Sequence, residues 1–245
     1  MNHIDTRDPL AIAVVNAIQK GHTLELTRLL AENPELSQAR LGDNDLCGMS
    51  RTLLHVATDW PGHFPNVAQT IKTLIEAGAD VNAQFCGPHI ETPLHWAASS
   101  DDIEALDALI DLGANIEAEG AVIAGGTPLT DARAFGQWKA AHRLVELGAS
   151  TNLTDVATLG LMDRLKNYFT EDLTPEAQEI DRAFWGSCHG GQKIVAAFLN
   201  AHGANINWLP DWENLSPLDA AQREGATELV EWLLSLGAKS ATELV

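Results

Sequence analysis

Apolar positions along the chain recur at helical spacing in short blocks, and the blocks come in pairs. Ile103, Leu106, Leu109 and Ile110 fall on one face of a helix, as do Leu229, Trp232, Leu233 and Leu236. Ahead of these amphipathic stretches stands a shorter, small-residue helix opened by Thr92-Pro93, Thr127-Pro128 or Ser216-Pro217. There the hydroxyl can cap the helix, and proline occupies the first turn, where its missing N–H costs nothing. A break at Gly136, Gly160, Gly190 or Gly225 separates the first helix of a pair from the second. Gly78, Gly113, Gly148, Gly203 and Gly237, each followed by Ala, suit the left-handed residue that ends the second helix.

The scheme is an internal repeat. Glu91 to Ala118 matches Gly126 to Ser150 and Leu215 to Ser240, and Arg51 to Ala83 is a weaker copy. Three further units are degenerate: Asp8 and Pro9 open one, Thr151 to Phe169 forms another, and Asp181 to Asn207 a third whose helix can start early at Thr174-Pro175. No single pair can bury its apolar face, so the units must stack. The unit resembles the ankyrin repeat, whose Thr-Pro-Leu-His-x-Ala signature reads as Thr92, Pro93, Leu94, His95 and Ala97. The resemblance implies an all-α solenoid of stacked helix pairs with hairpin fingers. About seven units are expected in one domain over 1–245, near 5–40, 45–85, 86–119, 120–150, 151–175, 176–209 and 210–245. It also implies protein binding on a concave face, and a scaffold role for His55 and His95, which would bond the backbone joining neighbouring units.

Finger lengths are uneven. Gly78 to Thr92 and Gly113 to Thr127 each span 14 residues, whereas Gly148 to Thr151 spans three, so one finger is missing. The flanking finger tips are unusual: Ala121 to Gly126 is apolar, and Trp208 to Asn214 carries two tryptophans. Beside the gap, TPLTDARAFG (127–136) returns as TNLTDVATLG (151–160), each with an aspartate in its first helix. Aligning the units on the residue after the signature histidine gives Trp96, Asp131, Asp155 and Trp185 as consecutive members of a row. Under the resemblance this position leans toward the concave side.

Composition narrows the ligand. Thirty-four Asp and Glu against 15 Lys and Arg give a net charge of -19, which repels nucleic acid and anionic lipid and favours basic partners. The three cysteines, Cys47, Cys86 and Cys188, form no disulfide or zinc pattern; with no signal peptide or membrane-span pattern, a cytoplasmic, monomeric protein without metal or cofactor is expected. The leading expectation is a non-enzymatic module that binds a basic protein or peptide, or a cationic organic ligand, through Trp96, Asp131, Asp155, Trp185, Trp60, Phe135 and Trp212. The alternative is a small-molecule enzyme (lyase or dehydratase, isomerase or cyclase) using Asp131 and Asp155 as an acid/base pair assisted by His189 or His89. Ionised carboxylates would favour the binder, and one aspartate with a raised pKa the enzyme. A closed cavity around the aspartates would suggest a small ligand. Favourable interaction of a carboxylate with the helix macrodipole is the competing, ligand-free account of both aspartates.

Overall fold

The computed structural model describes residues 3–42, 48–170 and 173–244. Cys47 and the unit boundary drawn at 45 lie outside the described residues. Backbone packing divides the chain into two compact units, 1–149 and 150–245.

In the first unit the helix pairs are α1 (Pro9–Gln19) with α2 (Thr23–Glu32), α3 (Leu53–Ala57) with α4 (Val67–Glu76), α5 (Pro93–Ser99) with α6 (Ile103–Asp111), and α7 (Pro128–Ala134) with α8 (Trp138–Glu146). First helices pack on first helices, α5 against α7, and second on second, α4 against α6. The all-α expectation needs one addition: His3–Asp5 (β1), Arg40–Gly42 (β2) and Ser50–Thr52 (β3) form a small sheet, parallel between β1 and β2 and antiparallel between β2 and β3. Strands this short carry no readable alternation, which is why the sequence pattern misses them.

The second unit holds α9 (Leu153–Thr158) with α10 (Met162–Lys166), α11 (Ala177–His189) with α12 (Lys193–Ala201), α13 (Pro217–Arg223) with α14 (Thr227–Ser235), and the short α15 (Ala241–Leu244). Its core joins Val156, Leu165, Phe184, Leu199 and Leu233. The α11 helix starts before Asp181, capped by Glu176, so Asp181 is internal.

A recurring hydrogen bond sets the register between pairs. The Nδ1 of His55 accepts from the Thr52 N–H, which leaves the proton on Nε2 to donate to the Glu91 carbonyl at 3.1 Å. His95 repeats this: Nδ1 takes the Thr92 N–H, and Nε2 donates to the Gly126 carbonyl at 3.3 Å. Each acceptor is the residue just before the next helix cap. Burial holds both imidazoles neutral, pushing His55 down to about 3 and lowering His95 as well.

Trp185 does the same job, which corrects its expected place. The left-handed turn residue after α11 is Gly191 (φ 69°), not Gly190. Counted back from Gly191, Trp185 occupies the place that His95 holds relative to Asp101, the left-handed residue after α5. Its indole N–H donates to the carbonyl of Leu215, just before the Ser216 cap, at 2.8 Å. The ring is 5% exposed. The row position on α11 therefore belongs to Gly186. A Cβ there would lie 2.5 Å from Thr158 Oγ1, and one on Gly190 only 1.9 Å from the Thr158 carbonyl oxygen, so both glycines are needed for α11 to lie close against α9.

Two substitutions test these contacts by urea denaturation. Gly190→Ala is expected to lower stability by about 1–3 kcal/mol through overpacking. Trp185→Phe should cost about 1–3 kcal/mol by leaving a buried carbonyl unsatisfied, and an unchanged midpoint would remove the indole's register role.

Candidate functional site

Asp131 lies in the first unit and Asp155 in the second, and each has a local partner set of its own. Both stand five residues before their turn glycine, Gly136 and Gly160, but the caps differ: Thr127 caps α7, and Asn152, not Thr151, caps α9. Losing one residue at the front turns Asp155 into the third helical residue. Its Oδ2 accepts the Asn152 N–H and Asn152 Oδ1 accepts the Asp155 N–H, both at 2.9 Å, which closes a capping box. The identical letters around Asp131 have no such use, because Thr130 occupies that box position.

Asp131 is fully buried, and no hydrogen bond of normal geometry reaches either carboxyl oxygen. Facing it is Glu91, to which the sequence pattern assigns no role. Glu91 is itself buried and heavily engaged. Its Oε1 accepts the Val122 N–H of the following finger at 2.9 Å, and its Oε2 accepts the Trp96 indole N–H at 2.8 Å and lies 3.0 Å from His89 Nδ1. Its backbone carbonyl is the one that receives His55. Phe85 stacks on His89, centroids 4.7 Å apart, and closes against Trp96.

This environment decides the protonation of Asp131. Burial comes first, then repulsion from Glu91 and hydrogen bonding with it, while the Ile123 N–H opposes; the carboxyl is raised from 3.8 to about 8. Two adjacent buried carboxyls cannot both ionise cheaply. Asp131 thus holds a proton at neutral pH. The raised aspartate is what the acid/base alternative requires, but a fully buried carboxyl offers no substrate contact as it stands. Four surface pockets of about 310–540 Å³ are lined by residues other than Asp131 and Asp155.

The remaining expected residues are dispersed. In the first unit Trp60 is 80% exposed, on a loop pinned from beneath: the His63 N–H donates to Asp102 Oδ2 at 2.5 Å, and the His63 ring bonds the Ser100 carbonyl. Phe135, which ends α7, is exposed. In the second unit Trp212 is half exposed, edge-on to Trp185 and covered by the Arg182 guanidinium at 4.6 Å. His189 is buried between Arg223, 3.2 Å from its Nδ1, and Glu224 at 3.3 Å. Cys188 is buried and its thiol pushed up by burial, which suits packing rather than nucleophilic chemistry.

The Asp131 proton carries a stability signature. The folded value exceeds the unfolded one, so the cost is absent below about pH 4, accumulates as pH rises toward 8, and is constant above. Asp131→Asn, which keeps the shape and can donate to Glu91, should therefore be more stable than the parent at pH 7 by several kcal/mol. The difference should grow by about 1.4 kcal/mol per pH unit between pH 4 and 8. Parallel denaturation curves with a pH-independent difference would rule out the shared proton.

Comparison with known proteins agrees with this architecture. Residues 66–155 match the family model described as ankyrin repeats (3 copies). The crystal structure of the human ASB11 ankyrin repeat domain is similar in fold, with a TM-score of 0.53 at 20% identity, over 93% of this chain and 98% of that one. No curated protein sequence matches the chain. Ankyrin repeats are protein-binding modules, and no helix among the described residues is long and apolar enough to cross a membrane. With the family match over 66–155, the shared fold and the histidine-to-carbonyl bonds between successive pairs, the chain carries ankyrin repeats and has the fold of an ankyrin-repeat domain.

Proposed function

We propose that the protein is a non-enzymatic binding module for a basic protein or peptide, engaged in the first unit by apolar anchors set in an acidic surface on the concave side of its repeats. The observation that carries this reading is Trp60. An indole left 80% exposed would ordinarily be mobile and weakly useful, but its loop is tied down through His63 and Gly62 to Ser100 and Asp102. A large aromatic surface displayed on a fixed support loses little entropy on binding, which is the physical profile of an interface anchor. Phe135 and the exposed finger residues Val122 and Ile123 add apolar surface in the same unit.

Charge supplies the selectivity. With 34 acidic against 15 basic side chains, a basic partner is drawn in and an acidic one repelled, most strongly at low ionic strength.

The test is a titration against matched Lys/Arg-rich and Asp/Glu-rich peptides of equal apolar content, followed by tryptophan fluorescence. The basic set should bind, and weaken by about tenfold or more when salt is raised from roughly 50 to 300 mM. Trp60→Ala and Phe135→Ala should each raise Kd by about tenfold, a loss near 1.4 kcal/mol, with the thermal transition unchanged. Equal binding of the acidic set would refute the reading.

A further inference from the structure

The buried pair Glu91–Asp131 is more than a strained corner. Two carboxyls meet there from separate elements, the strap before α5 and α7 itself, beneath the turn Ala121–Gly126. The pair is asymmetric. Both oxygens of Glu91 accept an N–H at normal hydrogen-bond distance, whereas both oxygens of Asp131 are buried and no hydrogen bond of normal geometry reaches them. Unused acceptors at such a site each carry a desolvation cost that a donor would relieve.

The covering turn is closed by its own backbone bonds, Ala121 N–H to the Gly126 carbonyl and Gly125 N–H to the Ala121 carbonyl, so it can move as one piece. Its Val122 N–H is fastened to Glu91 and its Ile123 N–H points toward Asp131, while the Val122 and Ile123 side chains face solvent rather than a core. Displacing the tip of the turn breaks the Val122 tie without drawing the Val122 or Ile123 side chain out of a core.

The charge acting on Asp131 is that of Glu91, of the same sign. Trp96 and His89 both approach Glu91 Oε2, and the neutral His95 of α5 bonds the Gly126 carbonyl. The neighbouring α8 buries Ala140, Ala141 and Leu144, while its Lys139, Arg143 and Glu146 line an outer pocket with Trp138. Arg133, on α7, has interactions of its own.

We propose that Glu91 and Asp131 form a receptor for a single primary ammonium group, the end of a partner lysine, which enters beneath the Ala121–Gly126 turn and replaces the proton the two carboxyls otherwise share. This rests on the reading of a basic partner and names the chemistry of one contact. The ammonium brings three donors on a compact head, enough for both Asp131 oxygens and Glu91, where a planar guanidinium would need more room. The balance is one cation in and one proton out: Asp131 releases its proton to solvent, and the site keeps the same net charge.

The experiment needs no identified partner. Full-length protein is titrated with methylammonium chloride and, at equal ionic strength, with tetramethylammonium chloride. Two signals are read: the NMR resonance of the Trp96 indole N–H, which bonds Glu91, and proton release in weakly buffered solution. Methylammonium should shift the indole signal saturably and release close to one proton per site at pH 6.5. Its apparent affinity should tighten by about tenfold per pH unit between pH 5.5 and 7.5, as linkage to one displaced proton requires. Tetramethylammonium, with no N–H to donate, should do neither, and Asp131→Asn should abolish the release and weaken methylammonium at least tenfold. Equal responses to the two salts, or saturation without proton release in the unaltered protein, would overturn the proposal without recourse to any variant. If basic peptides bind while methylammonium fails, the lysine receptor falls and the binding function stands; if methylammonium succeeds while no basic peptide binds, the reverse holds.

Discussion

Order in this molecule depends on a hydrogen bond that runs from the first helix of one pair to the backbone just ahead of the next. His55 to Glu91, His95 to Gly126 and Trp185 to Leu215 are the same device built from two chemistries. Each donor must be a flat ring held by its own helix, with an N–H at the far edge. Imidazole meets this need only in one tautomer, which its cap selects by donating to Nδ1. Indole meets it without selection, because it has a single N–H. The bond matters because a repeat cannot bury its apolar face alone, and the stacking that buries it must be held in one register.

Where that bond lands, chemistry follows. Glu91 is in place because its carbonyl receives His55, and that placement puts its side chain under the next finger, against Asp131. A structural hydrogen bond thus locates a buried carboxylate. The consequence is a buried acid pair with a single charge, an arrangement costly to stability and informative for that reason. On α9 the matching aspartate has a different use, since Asp155 closes a capping box with Asn152.

Much of this was legible in the residues. Thr92-Pro93 and Ser216-Pro217 announced helix starts, the Gly-Ala pairs announced the left-handed ends, and the signature His95 pointed to a scaffold bond. Misreadings came from counting register by letters. Gly190 and Gly191 are indistinguishable in sequence, yet only the second is left-handed, and that one-residue difference moved Trp185 from the groove row to the scaffold. Likewise TPLTD and TNLTD look equivalent until the cap falls on Thr127 in one and Asn152 in the other.

By itself the sequence determined the repeat, the helix pairs, the acidic character and the stiff points of the backbone, because these follow from local propensities and composition that each residue carries wherever it goes. What only the tertiary structure decided was which acid meets which. Asp131 pairs with Glu91, 40 positions away in the chain, and Asp155 with the amides of its own cap. Protonation depends on burial and on the nearest charge in space, and neither is a property of a residue's place in a motif.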